Sequence, residues 1–120
     1  MAADSLSQGQ KQLFSLARAI LRRRVRAREN QTNAGVLLLD EVSSSVDQDT
    51  DEAMQAVIRE EFAGYTIVMV SHRLGMVMGF DRVVVMEAGS VVETGRPGEL
   101  VEQEGSRFRE LWLVGNKGKS

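Results

Sequence analysis

Apolar residues near the start of the chain recur at helical spacing. Leu13, Leu16, Ala17, Ile20 and Leu21 stand at i, i+3, i+4, i+7 and i+8, the pattern of an amphipathic helix. Ser7 and Gln10, just ahead of them, have the spacing of a capping box with Ser7 as N-cap. The helix is expected to run through an arginine-rich stretch and to stop near the polar cluster 30–35. Val36–Leu39 is then an unbroken apolar run, as expected of a strand buried on both faces. Acidic residues at 49, 51 and 52 mark the start of a second helix. Its apolar face is read as Ala53, Met54, Val57, Ile58 and Phe62, with an end near Gly64. Thr66–Val70 is a second buried strand, and two such strands joined by a helix predict a right-handed βαβ unit with parallel strands. Arg82–Met86 and Val91–Thr94 flank Ala88-Gly89-Ser90 and read as a hairpin. Pro97 suits the opening of a helix, Phe108, Leu111 and Trp112 give a last short helix something to bury, and the polar tail 116–120 is expected to fray.

Composition narrows the class. The 120 residues leave room for one domain and one core. With 42% hydrophobic and 27% charged residues the chain is globular rather than disordered. Aromatic residues, at 5%, are too sparse for a single-strand stacking platform. The absence of cysteine excludes a disulfide framework, a thiolate metal site and a cysteine nucleophile within this sequence. Apolar runs such as Ile67–Val70 and Leu111–Val114 fall far short of the roughly 20 residues of a membrane helix. Residues 1–5 also lack the basic-then-apolar order of a signal peptide, so a soluble, intracellular chain is expected.

Charge is uneven. Lys11, Arg18, Arg22, Arg23, Arg24, Arg26 and Arg28 face only Asp4 and Glu29 in the first 35 residues, whereas the remainder is acidic and the net charge is −2. The cluster Arg22–Arg28 suits either a phosphate-binding patch or a solvated helix end whose cations complement the carbonyl end of the dipole. No aromatic interleaves the arginines, which favours the second reading, and no nucleic-acid partner is expected.

The chemistry gathers at one sheet edge. The first strand runs into Asp40-Glu41 and the second into Ser71-His72. Open parallel sheets bind ligands outside the carboxyl ends of their strands. An aspartate associated with Mg²⁺ and a neighbouring carboxylate acting as base toward water make a hydrolytic constellation. Singly, Asp40-Glu41 is also an ordinary turn start and His72 an ordinary loop histidine. Their joint placement is what points to a site.

These residues carry a family resemblance. Leu6-Ser7-Gln8-Gly9-Gln10 resembles the LSGGQ signature of ATP-binding cassette (ABC) ATPases, and Val36-Leu37-Leu38-Leu39-Asp40 resembles their Walker B strand. Glu41 matches the catalytic glutamate, Ser44-Ser45-Val46-Asp47 the D-loop, and Ser71-His72-Arg73-Leu74 the switch-histidine segment. The segment from Asp81 through Leu100 is similar to the family's closing hairpin and helix. The resemblance covers nearly the whole chain, with the motifs in order, and implies the C-terminal part of a single nucleotide-binding domain over residues 1–120. The implied fold is α/β, a partial P-loop NTPase (ABC ATPase) domain of parallel strands with flanking helices plus a C-terminal β-hairpin.

In this family two nucleotide-binding domains pair head to tail with ATP between them. The resemblance therefore implies ATP and Mg²⁺ as cofactors. It gives Glu41 the attacking water, His72 the γ-phosphate and Asp40 a water-mediated Mg²⁺. Leu6, Ser7, Gln8, Gly9 and Gln10 would face nucleotide held by the partner domain, and Asp47 would lie at the dimer contact. Gln8 stands where the family pattern has glycine. With Ser45-Val46-Asp47 and an intact Glu41, it resembles the second nucleotide-binding domain of the multidrug-resistance-associated subfamily (subfamily C). The implied partners are a second nucleotide-binding domain and the transmembrane domains of a parent exporter, at the cytoplasmic face of a membrane.

The phosphate loop G-x-x-x-x-G-K-[ST] is absent. Gly118-Lys119-Ser120 imitates its end, but the glycine required five residues earlier is Leu113. The chain alone is accordingly expected to bind ATP poorly, to hydrolyse none, and to expose a sheet edge and an apolar face. Two alternatives remain: a non-catalytic half-domain that binds a Walker A-bearing partner, and a piece of a non-transporter ABC ATPase.

Overall fold

The first helix, α1, runs from Gln8 to Asn30, and the cap that starts it was legible in two residues. Ser7 Oγ accepts from the Gln10 N–H at 3.1 Å, and Gln10 Oε1 accepts from the Ser7 N–H at 2.9 Å. The helix ends where Gln31 turns left-handed, at φ 53°. The computed structural model describes residues 6–31, 34–42 and 44–116, so residues 1–5, 32, 33 and 43 and the tail 117–120, where fraying is expected, lie outside the described residues. The order continues β1 (Val36–Asp40), α2 (Gln48–Glu61), β2 (Thr66–Val70), α3 (Leu74–Val77), β3 (Val83–Glu87), β4 (Ser90–Gly95), α4 (Pro97–Leu100) and α5 (Arg107–Asn116). The fold is mixed α/β. The chain divides into two compact units, Met1–His72 and Arg73–Ser120.

In the first unit β1 and β2 pair in parallel, Val36 opposite Thr66 and Asp40 opposite Val70, with α2 as the crossover. Leu16, Leu39, Met54, Ile58 and Phe62 form its core, with Leu37, Ile67 and Met69 packed against them. Both helices therefore cover the sheet face that carries the odd-numbered strand residues. The other face is bare: Leu38 is 73% exposed and Val36, Val68 and Val70 all exceed half. The bare face is the exposed apolar face expected of this chain alone, and it means that each strand, expected to be buried on both faces, is covered here on one. An unbroken apolar run states that both faces are apolar, and only the surrounding chain decides whether each is covered.

The helix faces are also rotated from those expected. In α1 the buried residues are Gln12 and Leu16, while Leu13 and Leu21 are exposed. In α2 they are Asp51, Met54, Gln55 and Ile58, while Ala53 and Val57 point outward. Inward polar side chains break an apolar stripe; here Gln55 Nε2 donates to Asp51 Oδ1 at 3.5 Å and lies 3.9 Å from Met69 Sδ. The arginine cluster does more than complement the dipole. Arg24 and Arg23 both bond the Glu61 carboxylate, Arg23 Nη2 at 2.9 Å from Oε2. Those two bonds, Arg24's foremost, hold Glu61 below the usual glutamate range.

In the second unit β3 and β4 form the expected antiparallel hairpin. Ala88 (φ 50°) and Gly89 (φ 80°) supply the two left-handed residues of a type I′ turn, whose twist matches that of the strands. Pro97 opens α4 at its first position, as expected. Val83, Val85, Leu100 and Phe108 make the core, whereas Leu111, expected to be buried, is half exposed. Glu93 on β4 caps the start of α5. Its Oε1 accepts from the Phe108 N–H at 3.0 Å and from the buried Ser106 hydroxyl at 2.7 Å, and Oε2 accepts from the Arg107 N–H at 3.1 Å.

These bonds, the Phe108 N–H first and the Ser106 hydroxyl second, hold the Glu93 carboxyl below its ordinary value of 4.5. A carboxyl with a lowered folded-state pKa adds stability above its unfolded value and loses it as the pH falls through the folded one. Acidification below about pH 4.5 is thus expected to loosen α5 from the hairpin. Glu93→Gln should flatten that pH dependence, and amide exchange of residues 107–110 between pH 6 and pH 3 checks it.

Candidate functional site

The end of β1 turns sharply at Glu41, whose φ of 50° is left-handed. A non-glycine residue held there costs on the order of 1–2 kcal/mol, and neighbouring bonds maintain it. The Glu41 N–H donates to Val70 O at 2.8 Å, extending the β1–β2 ladder by one residue. Its carbonyl accepts from the Ser44 N–H at 3.2 Å and from Gln12 Nε2 at 3.0 Å. So oriented, the side chain meets the second residue after β2: Glu41 Oε1 lies 2.7 Å from His72 Nε2. The two strand ends that the sequence places at one edge are thus in direct contact. The His72 side chain is 90% exposed and that of Glu41 36%, so both remain reachable from solvent.

The N-terminus of α1 stands on the same side of the unit. Gln8, Lys11 and Gln12 line one open cleft of about 330 Å³ together with Asp40 and Glu41. The first turn carries no acidic side chain, so nothing there neutralises the positive end of the helix dipole. The capping box engages the Gln10 N–H, and the N–H groups of Gln8 and Gly9 have no acceptor within the helix. Ser7, Gln8 and Gln10 are exposed, whereas Leu6 and Gly9 are half-buried.

Gly9 is where the loop before α2 touches the helix. A Cβ built there would fall 2.8 Å from the Ser45 carbonyl oxygen and 3.3 Å from Val46 Cγ1. Because the nearer atom is backbone, the loop itself would have to move. Gly9→Ala is expected to cost about 1–3 kcal/mol through this clash, measured as a lower urea midpoint with an unchanged m-value. Downstream, Asp47 caps α2, its Oδ1 accepting from the Thr50 N–H at 2.7 Å.

Gln12 escaped the sequence reading. It is 9% exposed and spends its amide on three bonds, donating to Glu41 O and to Ser44 Oγ (2.9 Å) and accepting from the Ser45 N–H (3.0 Å). A polar residue four positions before Leu16 breaks the apolar stripe, and that interruption was the available signal.

The donor set bears on magnesium and nucleotide. Mg²⁺ is usually held by one or two carboxylates, several waters and substrate phosphates. Asp40 and Glu41 offer oxygen ligands of that kind at the strand end. Among the described residues no cluster of three or more His, Asp or Glu side chains could hold a metal without such help. The residues thus fit a metal that arrives with a phosphate, and the exposed start of α1 fits an anion.

The class of protein to which this arrangement is similar emerges from comparison with known sequences. The relatives are ABC transporters. The chain is 61% identical over 120 residues to the ABC-type transporter braE of Annulohypoxylon truncatum, with 96% of the chain matched. It is 63% identical over 116 residues to the ABC transporter FGM5 of Gibberella zeae, and 40% identical over 115 residues to ATP-binding cassette sub-family C member 10 of Mus musculus, again with 96% of the chain matched. It spans only 8%, 8% and 7% of the length of these three relatives. No family model matches the chain. No helix among the described residues is long and apolar enough to cross a membrane.

Proposed function

We propose that the chain is the part of an ABC transporter's ATP-driven motor domain that carries the signature, Walker B, D-loop and switch-histidine segments. The observation that carries this reading is the contact of Glu41 with His72 at the paired ends of two parallel strands. Similarity to ABC transporters over 96% of the chain supports it. So does the bare apolar face of the β1–β2 pair, because parallel sheets are stable with both faces covered and the relatives have far more chain.

In this reading Glu41 is the base toward water. His72 Nε2 occupies Oε1, which leaves Oε2 as the proton acceptor. His72 would contact a terminal phosphate. Asp40 would hold Mg²⁺ through water, and the metal when bound neutralises charge on phosphoryl oxygens. Ser7 and the N–H groups around Gly9 present an anion site toward nucleotide held by a second nucleotide-binding domain, with Leu6, Gln8 and Gln10 framing it. Asp47, while capping α2, lies in the loop that would meet that second domain. Gln8 and similarity to a sub-family C relative favour the second nucleotide-binding domain of a subfamily C exporter, working at the cytoplasmic face of a membrane.

The test is phosphate release by the complete polypeptide that carries this segment, purified with its membrane part. Turnover that requires ATP and stops on chelation of Mg²⁺ is expected. A complete polypeptide that binds ATP no better than this chain alone, and releases no phosphate, would overturn the reading.

A further inference from the structure

We propose that Gln12 is a positioning residue, which makes the orientation of Glu41 depend on the position of the helix whose N-terminus carries Ser7 and Gly9. The inference rests on the motor reading above, in which Glu41 is the base and the start of α1 faces a phosphate.

The geometry is specific. Gln12 is one helical turn beyond Gly9, so both residues face the 44–46 loop, Gly9 by its bare Cα against Ser45 O and Gln12 by its amide. The amide can sit only one way round. Oε1 receives the Ser45 N–H, and Nε2 gives one proton to the Glu41 carbonyl and one to Ser44 Oγ. A flipped amide would set oxygen against carbonyl and N–H against N–H. Both amide protons are used, and the side chain is buried at the wall of the cleft, where a hydrogen bond is stronger than in bulk water.

Its bond to the Glu41 carbonyl falls on the residue that departs from the strand with positive φ. The peptide after Glu41 is therefore held from α1, while the peptide before it is held from β2 through Val70. A rotation or shift of α1's first turn moves the Glu41 backbone, and with it the carboxylate that meets His72. A phosphate bound at the start of α1 would in this way be felt at the base.

The test compares steady-state phosphate release by the complete polypeptide with that of its variants Gln12→Met, Glu41→Gln and the double variant. Methionine keeps the unbranched stem and the volume and loses all three bonds. A fall in kcat on the order of 10–100-fold is expected, the scale of a misplacement near 1 Å, with KM for ATP close to that of the unmodified protein. In the Glu41→Gln background Gln12→Met should cost little more, because the two residues act as a unit. An unchanged kcat, or two losses that simply multiply, would overturn the positioning role while leaving the motor reading intact. Absence of Glu41-dependent turnover in the unmodified protein would instead sink the motor reading, and the inference with it. If the methionine variant does not fold, Gln12→Glu decides. It keeps length and the acceptor for Ser45 but cannot donate to the Glu41 carbonyl, so a normal kcat there would also overturn the proposal.

Discussion

Glu41→Gln in the complete polypeptide is expected to lower the rate of ATP hydrolysis by about 10²–10⁴-fold, the contribution of a positioned general base, with nucleotide still bound. Glutamine keeps the length of the side chain, and its Oε1 can still accept from His72 Nε2, so the turn and its contacts should survive. What disappears is the carboxylate oxygen that would take a proton from water. The measurement is phosphate release in a single turnover alongside equilibrium binding of a fluorescent ATP analogue. Loss of rate with retained binding assigns the base. Equal loss of both would mean that the turn at residue 41 had collapsed, and an unchanged rate would remove Glu41 from the chemistry.

Phe108→Ala should have the largest effect on stability in the second unit. The ring is 1% exposed and packs with Val83, Val85 and Leu100. Deleting it removes buried apolar surface and leaves a cavity that the hairpin can close only in part, at a cost of about 3–5 kcal/mol. The second unit spans only Arg73–Ser120, and small units hold little stability in reserve, so a loss of that size is expected to unfold it. Trp112, the single tryptophan, lies on the same helix and is half-buried, so its fluorescence in urea reports the transition. A midpoint within error of the unmodified chain would show that Phe108 is not the keystone of this core.

Much of the local architecture could be read directly. The Ser7/Gln10 cap, the two apolar strands, the Ala88-Gly89 turn and Pro97 all occur where residue chemistry places them, because each depends on neighbours a few positions away in the chain. The candidate site was legible for a related reason. Parallel pairing of Val36–Asp40 with Thr66–Val70 must bring the residues after both strands to one edge, so Glu41 and His72 meet as a consequence of topology.

Which face each helix turns inward was not legible. Counting apolar residues chose Leu13 and Leu21, but burial fell on Gln12, Asp51 and Gln55, and the amide of Gln12 is satisfied by partners about thirty residues away. The same holds for Glu93, which caps a helix that begins more than ten residues later, and for Glu61 between two arginines of α1. Local sequence thus accounts for the elements and their order, apart from the single turn Leu74–Val77, and for the edge where the chemistry collects. Tertiary structure alone decided the left-handed turn at Glu41, the loop against Gly9 and the grip of Gln12. Local propensity extends over a few residues, whereas a buried hydrogen bond is worth making only once the folded chain has brought its two ends together and excluded water.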